Sequence, residues 1–138
     1  MIYLRKPTII FFILLAVFIV NISAADTIKN DFIGRWCWDK NSKVSTFSVF
    51  INKIVNTYKG SYLTVAFRGN RIDDSEDAFS FKASGKKIVK TKLRTGSEKE
   101  AGLIQLKILS NNKMEWFIIK FPRGEFYAPR KAILHKCN

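Results

Sequence analysis

Histidine is nearly missing from this chain: His135 is the only one in 138 residues. A histidine-based metal cage cannot be assembled from one imidazole, and a nucleophile has a single such base to choose from. Cysteine is almost as scarce. Cys37 and Cys137 are separated by most of the chain and make no zinc set with His135. On a strand His135 and Cys137 share a face, the placing that a thiol–imidazole pair needs, but a Cys137 held in a disulfide cannot attack. Acidic residues are few, 11 Asp and Glu against 24 Lys and Arg. They gather only at Asp73-Asp74-Ser75-Glu76-Asp77. Asp73, Ser75 and Asp77 have the spacing that opens a calcium loop, yet Ala78 stands where glycine is needed and Ser84 where the bidentate Glu belongs. A glycosidase-like carboxylate pair drawn from the same stretch has no other support. No metal or cofactor is expected, and the chain is expected to bind rather than to catalyse.

Long hydrophobic runs are also lacking, with one exception. Ile9–Val20 is unbroken and apolar, about 12 residues, short for a membrane span but the length of a signal-peptide core. Arg5 and Lys6 precede it, and Ser23-Ala24-Ala25 follows with small residues at the positions a signal peptidase reads. Residues 1–25 are therefore read as a signal peptide cleaved after Ala25, with cleavage after Ala24 as the near alternative. An uncleaved anchor helix from Pro7 to about Ala25 is the other possibility. Export to the periplasm or beyond the cell follows from either.

The domain expected after cleavage is Asp26–Asn138, one unit, since proline is down to three residues and neither repeats nor low-complexity stretches mark a linker. Losing Arg5 and Lys6 takes the net charge from +13 to +11. A field that positive attracts acidic proteins, anionic lipid or polyanions, and export makes nucleic acid an unexpected partner. Two cysteines in an oxidising compartment are usually one bridge, here Cys37–Cys137, with two free thiols as the alternative.

Past the leader the pattern is strand-like throughout, rich in Phe, Ile, Val, Thr and Tyr, with no amphipathic helix. Strands are expected at Arg35–Asp39, Ser45–Ile54, Tyr58–Phe67, around Phe79 and Phe81, Ile88–Leu93, Leu103–Leu109, Met114–Phe121 and Lys131–Lys136. Phe47, Val49 and Ile51 share one face, as do Ile104, Leu106 and Ile108. Gly60 suggests a bulge, and Asn111-Asn112 a two-residue hairpin. Arg68–Asp77 reads as a polar loop. Met114–Phe121, nearly all apolar, reads as buried on both faces. Eight strands with short connections predict an all-β fold, a small antiparallel up-and-down barrel, with a β-sandwich as the alternative.

The segment Ile33-Gly34-Arg35-Trp36 resembles the Gly-x-Trp first strand of lipocalin-like (calycin) barrels. That resemblance implies that Trp36 plugs one end of the barrel, with a basic residue of the last strand, Arg130 or Lys131, packed across it. It also raises a small apolar-ligand carrier as a function, since an eight-stranded interior is just wide enough to be filled or to hold one small ligand. Gly34-Arg35-Trp36-Cys37-Trp38, with Arg71-Ile72-Asp73-Asp74 and Tyr127-Ala128-Pro129, also resembles small uncharacterised exported proteins of Gram-negative bacteria. If Trp36 points inward, pleating sends Cys37 outward, where a tail ending in Cys137 can strap the barrel from outside.

The cations are unevenly spread. Lys82, Lys86, Lys87, Lys90, Lys92, Arg94, Lys99 and Lys107 fall in one stretch, opposed by Glu98 and Glu100 alone. Lys90 and Lys92 share a strand face, so this stretch is the expected docking face for an acidic protein partner or an anionic envelope surface. An inhibitor or immunity-type protein is the leading reading.

Overall fold

The structure is a computed structural model that describes residues 32–83, 85–96 and 100–138. The proposed leader lies outside the described residues. Eight antiparallel strands form one sheet that curls into a nearly closed barrel: β1 Gly34–Trp38, β2 Thr46–Ile54, β3 Thr57–Ala66, β4 Arg71–Phe81, β5 Ile88–Leu93, β6 Gly102–Ser110, β7 Lys113–Lys120 and β8 Lys131–Lys136. Their order round the sheet is β4-β3-β2-β1-β8-β7-β6-β5. Consecutive strands are neighbours everywhere except at the β1–β8 junction, where the first and last strands meet, and at the β4–β5 seam. The up-and-down barrel is thus the fold, and the sandwich is not.

Alternation decides what goes inside. Trp36 from β1, Phe47, Val49 and Ile51 from β2, Ile104, Leu106 and Ile108 from β6, Met114, Trp116 and Ile118 from β7 and Leu134 from β8 are all buried. Phe47 meets Trp116 edge-on with ring centroids 5.0 Å apart, and Phe79 lies 6.2 Å from the same indole. The interior is filled by side chains at this girth.

Two expectations from the sequence are corrected here. Arg68–Asp77 is not a loop. Only Phe67–Gly69 turns, and the chain then runs straight into β4, paired with β3 from Ala66↔Arg71 onward. A strand with so few apolar residues persists because its backbone pairs with β3 and its inward carboxylate is satisfied: Asp73 accepts hydrogen bonds from the Tyr62 hydroxyl at 2.9 Å and the Tyr127 N–H at 3.1 Å. Met114–Phe121 is not buried on both faces either. Met114, Trp116 and Ile118 face inward, whereas Ile119 and Phe121 are exposed on the outer wall. A single curled sheet has one buried face, whatever the composition of a strand. By the same parity Phe50, an aromatic at strand spacing, is half exposed.

Gly60 does sit at a bulge. The pairings Gly60↔Phe79 and Tyr62↔Ser75 leave extra residues on β4, and Asp77 takes a positive φ of 49° within them. The Phe79 ring lies flat against the Gly60 backbone. A Cβ placed at Gly60 would stand 2.0 Å from the ring. Gly60→Ala is therefore expected to cost about 1–3 kcal/mol by overpacking. Urea titration of Gly60→Ala in the wild-type background and in Phe79→Leu checks this, because the cost should shrink once the ring is gone. Equal costs in both backgrounds would refute the assigned contact.

Candidate docking face

The barrel has two ends. At one lie Phe32, the β2–β3 hairpin Val55-Asn56, the β4–β5 loop, the β6–β7 hairpin Asn111-Asn112 and the chain's last residues. We call this the entry end. At the other lie the β1–β2, β3–β4, β5–β6 and β7–β8 connections.

The disulfide joins Cys37 to Cys137, as expected, with Cα atoms 5.8 Å apart. Its place is more local than a strap. Cys37 lies opposite His135 across the β1–β8 pair, and the Cys137 N–H donates to the Arg35 carbonyl at 3.0 Å. The bond is a diagonal cross-strand link on the outer wall, between the two strands that bring the chain's ends together.

Trp36 is fully buried near the entry end, and its indole N–H donates to the Phe32 carbonyl at 2.9 Å. Gly34 opens the strand with a φ of 130°. The cation across the indole is Lys136, whose Nζ lies 5.2 Å from the ring, and not Arg130 or Lys131. The register is the reason. β8 runs antiparallel to β1 with Trp36↔Lys136, so the start of β8 lies at the far end. Arg130 covers the Phe121 ring there at 5.8 Å, and Lys131 meets Glu115 at 3.4 Å.

The expected basic face divides in two. Lys90, Lys92 and Arg94 alternate along the outer side of β5 and its extension, all exposed, opposite Gln105 and Leu103 of β6. This row borders the seam between β5 and β4. Across it the Arg94 N–H donates to the Ala78 carbonyl at 2.7 Å and the Thr91 hydroxyl to the Ser80 carbonyl at 2.6 Å. A cleft of about 300 Å³, lined by Asp77 to Ser80, Thr91, Lys92 and Arg94, opens along the seam. Lys82, Lys86 and Lys87 instead crowd the β4–β5 loop at the entry end. Lys107 faces outward on β6 but sits opposite Glu115, which weakens it as a docking residue. Lys99 falls outside the described residues.

What sequence reading missed is the cation set that other strands bring to the entry end. Lys53, Lys113 and Lys136 come from β2, β7 and β8, and all are exposed. Their only signal in the sequence is that each sits at a strand end, and which ends coincide is a matter of topology. The acids lie elsewhere. Asp73, Asp74, Glu76 and Asp77 line β4, and Glu100 sits beyond β5 at the far end. There Lys120 hydrogen-bonds Glu100 and holds its carboxyl below the usual range, with Arg123 adding to the effect at 3.6 Å. Among the described residues no three His, Cys, Asp or Glu side chains gather as a metal site. Set against family models, curated proteins and solved structures, the chain gives no match.

Proposed function

We propose that this chain is an exported, periplasmic or secreted, non-catalytic binding protein that docks an acidic protein partner, as an inhibitor or immunity-type protein does. The observation that carries this reading is the row Lys90-Lys92-Arg94, three exposed cations alternating along the edge strand β5 and its extension beside the seam cleft. Long-range attraction of that kind raises association rates and selects partners of opposite charge. The filled interior favours the outer wall as the binding surface over an apolar-ligand carrier, which needs room inside.

The test is charge reversal of the row, Lys90→Glu, Lys92→Glu and Arg94→Glu together. These side chains point outward, so folding should be intact by circular dichroism. Wild-type protein on a matrix should retain an acidic protein from a low-salt envelope extract and release it as salt rises, and the triple variant should retain none. A wild-type protein that holds no salt-sensitive partner would sink the proposal.

A further inference from the structure

The entry end combines two features that nothing in the proposed docking role uses. The first is charge. Lys53, Lys82, Lys86, Lys87, Lys113 and Lys136 all ring this end, all are exposed, and none forms an ion pair among the described residues. No acidic side chain of the described residues stands with them; the nearest along the strands are Asp77 on β4 and Glu115 on β7.

The second is the hairpin tip. Val55 is 86 % exposed and takes a φ of 55°. A β-branched side chain in the left-handed region is strained, and Asn or Gly is the ordinary choice there. Ile54 beside it is half exposed, and Ile88 and Leu109 add exposed aliphatic surface on the wall close to the same end. Apolar residue and unfavourable backbone thus coincide at an exposed hairpin tip, where neither serves packing. Strain of this sort persists where it serves a contact.

The two features meet in one cleft. Lys53, Asn56, Tyr58, Lys82 and Ala83 line an open hollow of about 380 Å³ beneath the Val55 tip. Lys53 is held there with its Nζ 5.3 Å from the Tyr58 ring. Two ammonium groups facing one hollow suit a phosphate group, and an aliphatic tip flanked by lysines suits the boundary between headgroups and acyl chains.

We infer that the entry end seats on an anionic phospholipid bilayer, with Val55 inserted among the acyl chains and Lys53 and Lys82 on headgroup phosphates. The Lys90-Lys92-Arg94 row runs along the barrel wall from this end, so it stays open to a protein partner while the barrel stands on the membrane. The inference does not depend on the docking role and is tested on different residues.

The experiment is flotation with vesicles of phosphatidylcholine, alone or mixed with phosphatidylglycerol. It uses protein recovered after export of the full chain, every variant in the same form, so that residues before Phe32 contribute equally to all. Wild type should float with the phosphatidylglycerol vesicles only and be released by salt. Lys53→Glu with Lys82→Glu should weaken binding about 10- to 30-fold, at roughly fivefold for each lysine at an anionic surface. Val55→Asn should weaken it about tenfold, the loss of one buried aliphatic side chain. The same Val55→Asn should raise Tm by about 4–8 °C, because Asn relieves the left-handed strain. Opposite signs for stability and binding are what a merely structural tip cannot produce. The inference is overturned if wild type ignores phosphatidylglycerol. It is equally overturned if the Lys90, Lys92 and Arg94 reversal abolishes flotation while the Val55 and Lys53/Lys82 variants float normally, which is the outcome for unspecific attraction of a basic protein. A Val55→Asn protein that loses an acidic protein partner but keeps the vesicles also overturns it, and assigns this end to protein contact.

Discussion

Reduction of Cys37–Cys137, or its replacement by two alanines, should lower the stability of the domain by about 4–5 kcal/mol. The bond spans a sequence separation of 100 residues, so it removes the freedom of nearly the whole barrel from the unfolded chain. Its position adds to the effect. The β1–β8 junction is a short one, with three Cα pairs from Trp36↔Lys136 to Trp38↔Leu134, and it is the contact that joins the two halves of the sheet. The opposite seam, β4 to β5, carries no continuous ladder and is the weaker closure. With the bond cut, the barrel depends on two short closures instead of one covalent and one short. Tm should fall by about 15–30 °C. Thermal melts with and without reductant check this, with the thiol state read by mass. A fall of only a few degrees would show that the pairing of β1 and β8 holds without help.

Replacing Trp36 by alanine should have the next largest effect, a loss of about 3–5 kcal/mol. The indole is fully buried, so its removal opens a cavity. It also anchors Phe32, whose carbonyl takes the indole N–H and whose ring packs on Tyr58 and Phe81 at centroid distances of 6.1 and 5.1 Å. Phe32 covers the entry end of the barrel, so losing Trp36 uncovers that end. Trp36→Phe should cost less, about 1–2 kcal/mol, because it keeps a ring and leaves the Phe32 carbonyl without its donor. Lys136→Ala should cost no more than about 1 kcal/mol, the worth of an exposed cation over an aromatic face. Urea titrations of the three variants give the order. A Trp36→Ala loss no larger than that of Lys136→Ala would refute the plug role.

The elements of this barrel were legible wherever alternation was strong. Phe47-Val49-Ile51 and Ile104-Leu106-Ile108 specify both a strand and its inward face, because a period of two leaves no other way to bury them. Asn111-Asn112 was legible as a two-residue polar turn, and it joins Ser110 to Lys113, although neither asparagine takes the positive φ that the pair suggested. β4 was illegible in its first half. Arg71 to Asp77 holds no apolar alternation, and the strand exists because β3 pairs with it and because Tyr62 and Tyr127 satisfy Asp73. The candidate docking row was legible as well, since Lys90 and Lys92 alternate on a recognisable strand. The cation on Trp36 was not. Arg130 and Lys131 begin the last strand and Lys136 ends it, and only the antiparallel pairing with β1 says which end comes near.

By itself, then, the sequence determined the fold class, the strand count, the faces of the well-alternating strands, the cysteine pairing and the scarcity of histidine. These follow from local periodicity and composition, which one strand carries without reference to another. The tertiary structure alone decided which strand ends share a rim. It placed Lys53, Lys82, Lys113 and Lys136, scattered over four strands or their ends, around one end of the barrel, and set the strained Val55 among them. It also decided that the disulfide is a cross-strand link at the closing junction and not a strap. Register and closure are collective properties of eight paired strands, and no single segment encodes them.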